Sequence, residues 1–248
     1  LPLAEHIERE SLQRSIPVQQ PCRAFRSDAR NSGVAIRAVP DEREVIGNQR
    51  WIDVELRAHA RCVADRLRAS IDLNDTLADD LAAVVEQTGA RDAVLAGFSM
   101  GGGEVARYVS RHGGDSVVQA VLVSSVLPFR LKTHDNPAGT EQAAFDKTAL
   151  ALNEDRPRFL AGFFRTFFGV DTARDPVSEE LLAWARSVSM QAGLKATLDC
   201  LKSFSSTDFR SDLAAFNVPT LIIHGTDDKT VPIDASSRAA AKGIRNST

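Results

Sequence analysis

The sequence predicts an α/β protein, a mostly parallel, doubly wound sheet that carries a helical insertion, and three observations carry that reading. Val94 to Tyr108 reads as a strand, a hairpin-sharp turn with a serine at its apex, and a helix. Val117 to Val123 is a second buried strand beyond that helix, and Asn217-Val218-Pro219 leads into Thr220-Leu221-Ile222-Ile223-His224, an apolar, β-branched run that predicts a last buried strand. Between roughly 133 and 212 the apolar residues change to helical spacing. Strands that alternate with helices build parallel sheets, because each crossover must pack back on the sheet it leaves.

Taken in chain order, residues 1–70 form an atypical head. They hold twelve arginines and no lysine, and the only strand signal is the short Gly33 to Val39. Glu42 to Ser70, with Ile46, Trp51, Val54, Ala58, Cys62 and Leu67, has the pattern of a long amphipathic helix, while residues 1–40 read as loop or disorder. From 71 the pattern is regular. Asp75-Thr76-Leu77-Ala78-Asp79 is a capped helix start, Leu77, Leu81, Val84 and Val85 share a face, and Gly89 ends the helix. The helix after the serine turn presents Val105, Ala106 and Val109 to the core and stops at Gly113-Gly114. The domain reading is therefore a core at 71–132 and 213–248 with a helical cap inserted at 133–212. The phenylalanines of that cap, Phe145, Phe159, Phe163, Phe164, Phe167 and Phe168 among them, suit core packing first and an acyl pocket second.

The chemistry concentrates in Gly97-Phe98-Ser99-Met100-Gly101. Glycines two before and two after the serine stand where a side chain would collide with the tight turn that lifts a nucleophilic hydroxyl into a cleft. The following helix opens with free N–H groups and a positive dipole end directed at that hydroxyl, as an oxyanion requires. A dinucleotide fingerprint read from Gly101 to Ala106 fits poorly, because its first glycine lies four residues beyond Gly97 and the next strand ends in Ser124-Ser125, without the acidic residue a ribose needs. After the last strand, Asp227 and Asp228 occupy a loop at the sheet edge where ligands of α/β folds gather; an Asx turn is the plainer role for either.

Composition excludes several classes. The chain has 248 residues, 43% of them apolar, and a net charge of -3, which suits a globular protein with a sizeable core and leaves no basic footprint for nucleic acid. No apolar stretch has membrane length, and Glu5, Glu8 and Glu10 stand where a secretory leader would be basic, so the expected location is the cytoplasm. Cys22, Cys62 and Cys200 are too few and too scattered for a disulfide framework or a zinc site. The oligomeric state is left open, a homo-oligomer included.

Four segments in order resemble the cofactor-free bacterial haloperoxidases of the α/β-hydrolase fold, also called perhydrolases or arylesterases. They are Gly97 to Tyr108, Asp75 to Leu81, Lys195 to Cys200 with Ser203 to Phe209, and Val218 to Gly225. The resemblance runs from about 71 to 244 and implies a Ser-Asp-His triad without haem, metal or other cofactor. It implies an acyl-enzyme formed from a small ester or carboxylic acid and released to water or hydrogen peroxide. Carried over, Ser99 is the nucleophile, the Met100 N–H an oxyanion donor, and Asp228 the acid, with Asp227 second.

Two family features find no match in this sequence. The triad histidine expected close to thirty residues past the aspartate has no counterpart before Thr248, and no His-Gly-aromatic oxyanion loop precedes residue 71. The Asp-Arg-Arg-Gly-x-Gly-Arg-Ser loop is likewise replaced by Ala64 to Ser70. The expectation is a chain incomplete at both ends, its first residue leucine, its head translated out of frame or drawn from an incorrect gene model, and its turnover impaired because the general base is missing. His134 is the one stand-in that topology allows, and a silent, hydrolase-like binding protein is the alternative.

Overall fold

The computed structural model describes residues 73–170 and 176–248, together with the backbone of three short strands at 29–30, 34–37 and 57–58. The main sheet has four strands in the order β2-β4-β5-β6, where β2 is Val34–Arg37, β4 Ala93–Phe98, β5 Val117–Val123 and β6 Thr220–Ile223. β4, β5 and β6 run parallel, as expected, and β2 lies antiparallel to β4 with Val34 opposite Gly97. Two further strands, β1 (Ala29–Arg30) and β3 (Arg57–Ala58), pair antiparallel with each other. The head therefore departs from the sequence reading at two points. Ala29–Arg30 is a strand within a stretch read as loop, and Arg57–Ala58, expected inside a helix, pairs with β1 instead, whereas Val34–Arg37 falls within the strand signal of Gly33 to Val39. The remainder of the helix expected over Glu42 to Ser70 lies outside the described residues.

Among the described residues four straight helices, a kinked one and a short one accompany the sheet. α1 (Leu73–Thr88) starts two residues before the expected Asp75, buries Leu77, Leu81 and Val85, and ends at Gly89, whose φ of +61° only glycine adopts without strain. α2 (Gly101–His112) follows the serine turn and closes on Gly113, left-handed at φ +78°, whose N–H donates to Val109 O. The insertion between β5 and β6 holds α3 (Gln142–Phe167), α4 (Glu179–Met190) and α5 (Leu194–Ser206). α3 is broken at Asp155 because Pro157 lacks an N–H; the Asp155 carboxylate accepts from Arg158 N at 3.0 Å and restarts the helix as an N-cap would. A short α6 (Ser237–Gly243) follows β6. Among the described residues no helix is long and apolar enough to cross a membrane.

The core joins both faces of the sheet. Leu81 and Val85 of α1, Leu95 of β4, Val105 and Val109 of α2, Leu122 of β5, and Phe209 and Phe216 form one buried cluster. Each fully buried Leu contributes roughly 2 kcal/mol through removal of its surface from water. Buried polar groups tie the insertion to the core: Asn74 Nδ2 donates to Ser203 Oγ at 2.7 Å and to Thr207 Oγ1 at 2.8 Å. Arg107 likewise bridges Asp75 and Asp212 across the top of α2. β6 corrects one expectation. Its continuous apolar run predicts burial on both faces, but Leu221 and Ile223 are 45% and 48% exposed, while Thr220 and Ile222 face the core. A strand packed on one side only shows this alternation. Its free edge pairs with the last residues, Ile222 N donating to Thr248 O and Thr248 N to Thr220 O.

Candidate active site

Register puts the chemistry on one edge. Phe98 of β4 aligns with Val123 of β5, which aligns with Ile223 of β6, so Ser99, Ser124 and His224 stand level at the carboxyl ends of three parallel strands. That edge is where open α/β sheets collect reactive groups.

Ser99 has φ +52°, a left-handed backbone that a serine adopts only when its surroundings enforce it. Three bonds do so. Its N–H donates to Val123 O at 2.9 Å, and its carbonyl accepts from Gly102 N at 3.1 Å and Val126 N at 3.2 Å. The glycines supply the missing volume. A Cβ on Gly97 would lie 2.6 Å from Gly101 O, one on Gly102 would lie 2.0 Å from Ser125 Oγ, and one on Gly103 would lie 2.6 Å from the Phe209 ring. Gly102 and Gly103 thus serve close packing of α2 instead of phosphate approach. Met100 is the N-cap of α2, and its N–H carries no hydrogen bond among the described residues, at the positive end of the helix. Phe98 is 45% exposed and meets Phe167 edge-on at 6.5 Å. Gly97→Ala is expected to cost on the order of 2–4 kcal/mol, since its contact is with backbone that cannot step aside. A urea midpoint unchanged from the native chain would contradict that account of the turn.

The acid loop follows β6. Asp228 Oδ1 accepts from Thr230 N and Val231 N, both at 2.8 Å, an Asx turn, while Oδ2 lies 3.4 Å from His224 Nε2. His224 is wholly buried at its side chain; its Nε2–H donates to Val231 O at 2.7 Å, so Nδ1 accepts from the Ser237 hydroxyl at 2.6 Å. Asp227 instead pairs with Lys229 at the surface. Ser99, Asp227 and Asp228 line one cleft of about 630 Å³ with Phe98 and Phe167.

A second cavity of about 470 Å³ shares Ser99, Phe167, Thr230 and Val231 with that cleft and continues between Phe145, Phe159, Phe163 and Leu152 of α3 and Phe204 of α5. The phenylalanines divide. Phe145 is buried in a small cluster of its own with Leu152 and Leu201, whereas Phe167 is 38% exposed at the junction of the two spaces. Arg130 and Cys200 also line the inner cavity. Burial pushes the Cys200 thiol up to about 11, helped by the charges of Glu104 and Asp199, so it stays protonated and unreactive near neutral pH.

No described histidine joins Ser99 in either space. His112 bonds Asp79 at 2.9 Å and stacks on Tyr108 at the far end of α2, His134 lines neither cavity, and both ring nitrogens of His224 are engaged. His6 and His59 lie outside the described residues, as do Cys22 and Cys62. Sequence reasoning placed His224 on the strand before the acid without its contact to Asp228, and it passed over Arg130. His224 stands four residues before Asp228, a spacing that a strand and a tight turn fold into contact, and Arg130 is a lone charge in the apolar stretch that follows β5.

A family profile described as the alpha/beta hydrolase fold matches residues 57–248. A bifunctional esterase/perhydrolase of Acinetobacter calcoaceticus is 42% identical over 177 residues, covering 69% of this chain and 63% of that protein. A non-heme chloroperoxidase of Streptomyces lividans is 38% identical over 200 residues, covering 80% of this chain and 71% of the relative. The crystal structure of a bromoperoxidase from Bacillus anthracis superposes with a TM-score of 0.68 at 41% identity, over 70% of this chain and 63% of that one. The chain thus spans 63% of the length of both the esterase/perhydrolase and the bromoperoxidase.

Proposed function

Because the chain belongs to the alpha/beta-hydrolase fold family, we propose that it is a serine hydrolase of the esterase and haloperoxidase type, with Ser99 as nucleophile and Asp228 as the acid of its triad. The observation that supports this most is the enforced left-handed backbone of Ser99 at the end of a parallel strand, in a cleft that Asp228 also lines.

In this reading Ser99 Oγ attacks the carbonyl carbon of a small ester or carboxylic acid, and the Met100 N–H, at the opening of α2, stabilises the oxygen that becomes negative. The C–O bond to the leaving group breaks, the alkoxide takes up the serine proton, and an acyl-Ser99 ester remains. Water then releases the acid, or hydrogen peroxide releases a peracid able to oxidise halide. The chain's own residues need no metal for these steps. Asp227, paired to Lys229 on the surface, is the less suited of the two acids.

Serine without a base is a weak nucleophile, and loss of one triad member costs roughly four to six orders of magnitude in rate. A polypeptide of these 248 residues, with no described histidine beside Ser99, therefore acylates slowly. The same observation favours a second reading, a silent hydrolase-like protein whose apolar cavity under α3 and α5 holds a small acyl or aromatic ligand.

Turnover of p-nitrophenyl butyrate, and bromination of monochlorodimedone with acetate and hydrogen peroxide, separates the two. Slow activity that vanishes in Ser99→Ala supports the hydrolase. Identical rates in the native chain and Ser99→Ala, together with ligand-dependent melting, support the binding protein.

A further inference from the structure

The inner cavity holds a charge that the reaction just described does not use. Arg130 is 6% exposed and lines the space beside Ser99 and Met100. A guanidinium removed from water costs several kcal/mol unless its N–H groups and its charge are answered, and here both are answered only in part. Nη2 donates to Thr230 O at 3.2 Å and, at the limit of hydrogen bonding, to Thr140 Oγ1 at 3.4 Å. Nε is sealed in without a partner, and Nη1, which is not sealed, has none among the described residues.

No carboxylate among the described residues pairs with Arg130 either. Asp228 is close enough for its charge to favour the ionised guanidinium against the effect of burial, but its Oδ1 is held by Thr230 N and Val231 N and its Oδ2 lies against His224. Among the described residues the only other charged one lining the cavity, Asp199, is paired with Lys195 at 2.6 Å. What remains is an always-protonated cation with an open donor, in a cavity otherwise lined mainly by phenylalanine, leucine and small side chains. An anion placed there forms a charge-assisted hydrogen bond in surroundings that screen it weakly. One open donor nitrogen in about 470 Å³ suits a single carboxylate on a short carbon chain better than a phosphate, which needs several donors.

We propose that Arg130 makes this cavity a site for acyl groups that end in a carboxylate, so that the substrate class is the half-ester of a short dicarboxylic acid. The ester end meets Ser99 and the free carboxylate meets Arg130. Naming the ligand an ester rests on the hydrolase reading of Ser99; the preference for a negative charge does not.

The test is binding, which requires no turnover. Monomethyl glutarate is compared with its neutral terminal amide by calorimetry at pH 7.5, on the native chain and on Arg130→Gln. The native chain is expected to bind the anion at least tenfold more tightly than the amide, and Arg130→Gln is expected to bind the two alike. Equal affinities in the native chain, no measurable binding of the anion, or a preference that survives Arg130→Gln overturns the proposal. So does butyrate binding as tightly as the half-ester, since one carboxylate then suffices. Should Arg130→Gln fold poorly, mass-mapped phenylglyoxal modification of the native chain gives the answer: monomethyl glutarate protects Arg130 and the amide does not, and equal protection by both counts against it. If Ser99 proves inert while the charge preference holds, only the ester assignment falls; if Ser99 reacts and the preference is absent, the charge site falls alone.

Discussion

Glutamine in place of Glu104 is expected to remove a loss of stability that the native chain suffers as the pH rises from about 5 to about 8. Glu104 sits in the first turn of α2, is fully buried, and neither carboxyl oxygen has a hydrogen-bond partner. The helix N-terminus favours a negative charge there, by at most about 2 kcal/mol. Burial of an unpaired carboxylate costs several kcal/mol and wins. Burial, and next the charge of Asp80, push Glu104 from 4.5 up to about 8. The folded chain therefore keeps its proton to about pH 8, while the unfolded chain releases it near 4.5. Between those values the folded state binds more protons, so stability is full below the lower one and falls by about 1.4 kcal/mol per pH unit until the upper one is passed. Glu104→Gln has no proton to lose. Urea midpoints from pH 5 to pH 9 should slope downward for the native chain and stay level, apart from shared contributions, for the variant, with the variant the more stable at pH 9. Parallel slopes would mean that Glu104 is ionised, or solvated, in the folded chain.

Exogenous imidazole is expected to accelerate acylation of Ser99 by roughly one to two orders of magnitude. A general base contributes about 10²–10⁴ when held in place by its protein, and a small imidazole diffusing into the cleft recovers part of that. The cleft of about 630 Å³ shared by Ser99 and Asp228 has room for it. Asp228 Oδ1 is consumed by the turn, and Oδ2, 3.4 Å from His224 Nε2, is the oxygen left to accept from it. Single-turnover release of p-nitrophenol, corrected for attack by imidazole itself with Ser99→Ala as background, gives the rate. Asp228→Asn should keep the turn and lower the rescue severalfold. No difference between the native chain and Ser99→Ala at any imidazole concentration would mean that the base is not what the reaction lacks.

How much of this was legible in the sequence depends on the range of the interactions involved. The bend at Ser99 is encoded by residues within four positions of it, because the contacts that exclude a side chain at Gly97 come from Gly101 and Gly102. The boundaries of β5 and the left-handed ends of α1 and α2 at Gly89 and Gly113 are equally local. The Asx turn at Asp228 was readable as a type, but its contact with His224 needs the strand and the turn to close on each other first. Glu104 could not be recognised as buried from its own helix. Its charge resembles that of any exposed glutamate until α2 packs against α1 and beside Phe209. Arg130 is similar: it becomes a cavity residue only when α3 and α5, drawn from further along the chain, close over it. The half-exposed β6 shows the converse. Continuous apolarity fixes that a segment is a strand, and not how many of its faces are covered.

The most direct test of the central claim, a reactive hydroxyl held on a strained bend beside Asp228, is to find the residue that a fluorophosphonate modifies. The chain is incubated with the probe for hours, with and without imidazole, then digested and mapped by mass spectrometry. A single adduct on Ser99, slow alone and faster with imidazole, is the result expected. An adduct elsewhere, or none after prolonged exposure with imidazole present, would contradict the account.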